Sequence, residues 1–225
     1  MRRGCLIIMV LLATLGSVST ARATDGGPSY YPQGWTTAST DIGVHISDSG
    51  SGLDLSKTTL LVDEVAVESH YDYQHQLLGG HVDGLAAGAH TAGVYAVDRA
   101  GNEMFFGWQF EVDAGAPTAG PGSPTGSTSD RTPELVIPVA DDASGIDPGS
   151  VELWLSNGVL AGRLSATYDQ GSSTVRYQIS ELPRGVGPGQ FPLLDGTYTA
   201  ELSLADNAGN VTQYEWAFEV RTLLA

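Results

Sequence analysis

One cysteine and one lysine, Cys5 and Lys57, are the scarcest residues in this 225-residue chain. A lone cysteine excludes an internal disulfide framework, so any domain here must stand on its hydrophobic core. Lys and Arg together number 10 against 26 Asp and Glu, a formal net charge of −16. Such an acidic surface argues against nucleic acid and anionic membranes as partners. Long apolar runs are also missing. The best candidate, Cys5 to Leu15, is short for a bilayer span, and nothing later in the chain approaches that length. No stretch carries an extended helical period. The motifs Gly-x-Ser-x-Gly and His-Glu-x-x-His are absent, and the acids fall in turns with no matched acid or base beside them. The chain therefore reads as no enzyme.

The N-terminus has a clear pattern. Met1-Arg2-Arg3, the apolar run and Ala21-Arg22-Ala23 form the n-, h- and c-regions of a secretory signal peptide over residues 1–23. Cleavage after Ala23 removes Cys5 and three arginines but no acid, taking the charge from −16 to −19. Cys5 opens the apolar run rather than following it, which argues against a lipoprotein anchor. The expected product is secreted or held at the cell surface, with no membrane insertion of the mature chain.

The rest is organised by a repeat. Thr91 to Val97 alternates apolar and polar residues, turns at Asp98-Arg99-Ala100-Gly101-Asn102, and returns as Phe106 to Val112. Thr199 to Ala205, Asp206-Asn207-Ala208-Gly209-Asn210 and Tyr214 to Val220 repeat the scheme 108 residues later. A period of two on both sides of a Gly/Asn turn predicts a β-hairpin. Earlier, the strands at Ile42 and Leu60 match those at Leu135 and Leu153 at an offset of 93, and the loops 47–54 and 140–147 overlay without a gap. In the middle, Tyr73-Gln74 overlays Tyr177-Gln178 at 104. This predicts 11 extra residues around Gly162 to Ser173 and four more near Pro183 to Pro192. Short strands with frequent turns predict an all-β sandwich in each copy, with Trp108 and Trp216 as core anchors.

Asp-x-x-Ser-Gly-Ile/Leu-Asp between early strands, together with Asp-x-Ala-Gly-Asn before a Trp-x-Phe-x-Val strand, resembles the bacterial immunoglobulin-like repeats of exported and cell-surface proteins. The resemblance spans about residues 38–112 and 130–220. It implies seven-stranded sandwiches that serve as spacers, adhesive stalks or accessory domains. The expected fold class is thus all-β, two tandem immunoglobulin-like β-sandwich domains after an N-terminal signal peptide. A lead-in occupies 24–40, domain 1 occupies 41–113, a Gly/Pro/Ser/Thr-rich linker 114–129, and domain 2 occupies 130–221.

In such a sandwich the loop after the Ile42 strand and the final hairpin turn share one pole. That gathers Asp48, Asp54, Asp98 and Asn102 in repeat one, and Asp141, Asp142, Asp147, Asp206 and Asn210 in repeat two. Carboxylates with an amide oxygen are the hard-oxygen set that Ca²⁺ takes. Turn chemistry alone also accounts for these residue types, since Asp and Asn cap turns through their own backbone. Repeat two is the better candidate because Asp142 stands where repeat one has Ser49. All five histidines fall in repeat one, at no ligand spacing that recurs in zinc sites. Trp154 takes outward parity, and Tyr168 and Tyr177 flank the expected insertion, which makes them candidates for stacking on a sugar. The alternative is that the inserted hairpin covers Trp154. The sequence thus points to a structural or adhesive exported module whose partner is another surface protein or a glycan. A carbohydrate-binding accessory protein is the second reading.

Overall fold

The computed structural model describes residues 29–180 and 192–222, and the expected signal peptide lies outside them. Contacts divide the chain into two compact units. One contains Asp41–His81 and Thr91–Trp108, the other Pro32–Thr40, Val82–His90 and everything from Gln109 onward. The strands themselves follow the repeat.

Repeat one holds β1 (Tyr30–Tyr31), β2 (Gly34–Thr36), β3 (Thr40–His45), β4 (Thr59–Val62) and β5 (Val65–Val67), then β6 (Ser69–Asp72), β7 (Leu77–Val82), β8 (Gly88–Val97) and β9 (Glu103–Val112). They form a four-stranded sheet in the order β1-β3-β7-β6 and a five-stranded sheet in the order β2-β9-β8-β4-β5. Ile42, Val44, Leu60 and Val94 are fully buried, as the period of two requires.

Repeat two has β10 (Thr118–Ala119), β11 (Gly126–Thr128), β12 (Glu134–Ala140), β13 (Glu152–Ser156) and β14 (Ala161–Leu164), then β15 (Thr167–Asp169), β16 (Thr174–Gln178), β17 (Gly196–Ala205) and β18 (Val211–Val220). Its sheets run β10-β12-β16-β15 and β11-β18-β17-β13-β14. Leu135, Ile137, Leu153, Leu155, Ala200 and Val220 meet in one buried cluster, with Trp216 and Phe218 closing it. Both sandwiches are all-β, as expected.

Among the described residues each repeat has nine strands rather than seven. The first strand is broken in two, and its halves join opposite sheets. Pro32 in one repeat, and Pro121 and Pro124 in the other, sit at the break, where a residue without an N–H cannot extend a ladder. Gly34 and Gly126 then open the second halves at φ +78° and +66°, a region that costs other residues strain. The remaining addition is an edge strand, β5 or β14, turned back from its neighbour.

The structure also corrects the alignment of the middle. Tyr71 and Asp72 pair with Leu78 and Leu77, while Tyr168 and Asp169 pair with Val175 and Thr174. The true offset there is 97, so Asp72 matches Asp169, and Tyr73 lies in a turn where Tyr177 is in a strand. The four added residues lie in the β13–β14 hairpin, which gains the Ser156–Ala161 pair and has a four-residue turn at 157–160 where repeat one has two. The eleven fall between β16 and β17, a stretch that includes residues outside those described. Among the described residues, no helix is long and apolar enough to cross a membrane.

Candidate functional site

The loop after β3 and the β8–β9 turn do share a pole. An isolated bridge joins Leu53 to Asp98, and Ile146 is bridged to Asp206 at the matching place in repeat two. Within repeat one, each acid closes its own turn. Asp48 accepts from the Gly52 N–H at 2.6 Å, and Asp98 accepts from both the backbone N–H and the side-chain amide of Asn102 at 2.7 Å. The Asn102 amide is the main reason the Asp98 carboxyl sits below its usual pKa. Asp54 accepts from the Ser56 hydroxyl at 2.6 Å and pairs with Lys57 at 3.0 Å; the hydroxyl, then the lysine, lowers its pKa. Among the described residues of this repeat, no three acids converge to metal-holding distance.

Repeat two begins with the same turns. Asp141 accepts from Gly145 N–H at 2.6 Å, and Asp206 accepts from the N–H groups of Ala208, Gly209 and Asn210 at 2.9, 2.7 and 2.8 Å. A third carboxylate then arrives from the segment ahead of β10. Asp113 accepts from Gly115 and Ser144 N–H, both at 2.9 Å, and its carbonyl oxygen accepts from the Asn210 amide at 2.9 Å. Asp113, Asp141 and Asp206 each offer a carboxylate oxygen within 4.8 Å of the others. Asp113 is 4% and Asp206 2% exposed. Burial alone would raise the Asp113 pKa, but the N–H donors of Ser144 and Gly115 outweigh it and hold the carboxyl below its ordinary value.

Of the five residues expected to gather in repeat two, Asp141 and Asp206 lie in the cluster, and Asn210 props it by donating amide hydrogen bonds to the Asp206 carboxylate and the Asp113 carbonyl. Asp142 is exposed and outside it. Asp147 caps a short 3-10 turn, accepting from Gly149 N–H at 2.8 Å. Asp113 was missed because the repeat hides it: 108 residues on, the matching position holds Arg221.

The three aromatics do not form one platform. Trp154 projects from β13 and is 41% exposed. Tyr168 and Tyr177 belong to the other sheet, on β15 and β16, and pack half-buried against the core. Among the described residues no hairpin covers Trp154: β14 pairs beside β13 and widens the sheet instead of lying over it. The histidines are engaged separately. His45 meets the His75 carbonyl, His75 meets Asp72 and His81 meets Asp41, at 2.9, 2.6 and 2.7 Å.

Residues 120–219 match the family model described as a bacterial Ig-like domain. Among curated proteins none matches the chain. Similar solved structures include the fibronectin(III)-like modules of Clostridium thermocellum CbhA, at 13% identity and a TM-score of 0.47, covering 84% of this chain and 88% of that one. An I-band fragment of titin aligns at 13% identity and a TM-score of 0.45 over 86% of this chain and 65% of its own. A tetra-tandem repeat from the extending region of a large adhesion protein aligns at 17% identity and 0.36, over 83% and 46%. The second repeat is thus similar to a bacterial Ig-like domain, in a chain whose described residues form two Ig-like β-sandwiches in tandem.

Proposed function

We propose that this chain is a non-catalytic, exported structural or adhesive module in which calcium neutralises the acidic pole of the second repeat. The convergence of Asp113, Asp141 and Asp206 carries the metal part of this reading. One aspartate per turn is enough for turn chemistry, and three meeting at 4.8 Å are not explained by it. Each pair of charges within that spacing repels by about 3.5 kcal/mol or more at an effective dielectric near 20. All the converging atoms are hard carboxylate oxygens, which suits Ca²⁺, whose ligands stand roughly 2.3–2.6 Å from the ion. Asp113, Asp141 and Asp206 would hold the ion, with Asn210 orienting two of them. The ion would supply charge neutralisation and a link among segments far apart in sequence.

Melting the protein in EDTA and then in excess Ca²⁺ tests this. A ligand at about 100 times its Kd adds roughly 2.7 kcal/mol, which for a domain this size raises Tm by several degrees or more. Asp206→Asn should abolish the rise. Identical midpoints with and without the ion would remove calcium from the account. The glycan reading loses support because Tyr168 and Tyr177 lie on the other sheet, which leaves Trp154 alone of the three on its face.

A further inference from the structure

We propose that the outward face of β13, β17 and β18 in the second repeat is a docking groove for an arginine or lysine side chain presented by a partner polypeptide. Trp154 stands directly across from Glu201, and Glu201 across from Glu215, so one row over three strands reads indole, carboxylate, carboxylate. Glu152 lies beside this row, opposite Ser203. Together with Gln213 these residues line an open depression of about 350 Å³.

The charges are unbalanced. Like charges directly opposite on neighbouring strands destabilise a sheet. Among the described residues neither Glu201 nor Glu215 has an ion-pair partner. Arg163, directly across from Trp154 on β14, is held by Glu152 at 3.1 Å. The scaffold does not require this arrangement. The same face of repeat one carries Leu61 and Gly93, with the Phe105 ring close over Gly93 and Gly107 and no acid in the row. Where repeat one has Ala66 and Leu61 followed by glycines, repeat two has an arginine, a tryptophan and two acids, with the arginine drawn to Glu152 and the two acids left facing each other.

That combination selects a particular guest. An indole face attracts a cation and accepts the methylene stem of a long basic side chain. Carboxylates on the far side give charge-assisted hydrogen bonds to its head group. A neutral sugar would gain from the indole but would not relieve the facing glutamates. This inference deepens the adhesive reading by naming a partner class, and it is independent of calcium.

The test uses the full chain, labelled at tryptophan indole nitrogens and held in EDTA. It is titrated with a glycine pentapeptide carrying two arginines, and with the same peptide carrying glutamines. The arginine peptide should shift the Trp154 indole signal saturably and leave the buried Trp216 signal in place, which also reports that the fold is intact. Glu201→Gln with Glu215→Gln should weaken binding about tenfold or more. Glu64→Gln with Glu68→Gln, the same loss of charge on the other repeat, should change it less than about twofold. Three results would overturn the proposal: no saturable shift, equal weakening by both double variants, or a glucose oligosaccharide moving the Trp154 signal when the arginine peptide does not. None of these bears on the calcium-dependent melting, which stands or falls separately.

Discussion

At the scale of single residues, two close fits set the terms. A Cβ on Gly122 would lie 2.5 Å from the indole of Trp216, so the absence of a side chain there is what seats the ring. Gly122→Ala should destabilise the protein by about 1–3 kcal/mol, and by less when Trp216 is Phe, as chemical denaturation of the four-variant cycle will show. The second fit is Asp98 with Asn102. The amide lowers the folded pKa of Asp98 below its unfolded value. The stabilisation is therefore present above the unfolded pKa, about 3.9, and is lost as pH falls through the folded value. Melting temperature should hold down to about pH 4 and decline towards pH 2. Asn102→Ala should be less stable at pH 7 and converge with the parent in acid. A constant gap between the two curves would sink that account.

At the scale of elements, the hairpins show what a period of two can and cannot reveal. The strands at Ile42, Leu60, Thr91 and Thr199 were legible because burial repeats every second residue. The register of β6 and β7 was not, because a matched Tyr-Gln pair outweighed the turn geometry. Gln76 and Ser173 both sit at positive φ, 54° and 50°, and mark the true correspondence, but neither residue type announces that conformation. The β4–β5 turn makes a related prediction. Asp63 and Glu64 have φ of 48° and 67°, and the Asp63 carboxylate accepts from Thr91 N–H at 2.9 Å. A two-residue turn with both φ positive favours Asp-Gly. Glu64→Gly should stabilise by roughly 0.5–1 kcal/mol, measured by thermal melting.

At the scale of the molecule, duplication explains both what could be read and what could not. Comparing two copies located the shared pole and the paired turns. It could not find Asp113, whose counterpart is an arginine, nor show that the Trp154 row departs from its sister's apolar one. Differences between copies carry the two proposed sites, whereas similarities carry the fold. Among the described residues, the buried core of repeat two runs from Leu135 to Val220, with Ala119 packed against it. Leu155→Ala should thus cost about 2–5 kcal/mol. Hydrogen exchange should accelerate in that repeat and leave the buried amides of β3 and β8 protected. Equal acceleration throughout would mean the repeats do not fold on separate cores.

The broken first strand bears on how such a module resists tension. Its second half runs parallel to the final strand in each copy, pairing Gly34 to Thr36 with Phe110 to Val112 and Gly126 to Thr128 with Phe218 to Val220. Pulling a repeat by its two ends drags these parallel partners in opposite directions along their length. The bridging hydrogen bonds then share the load and must shear together, where an antiparallel pair pulled from one end would unzip them in turn. A short split strand thereby acts as a tensile latch within each repeat.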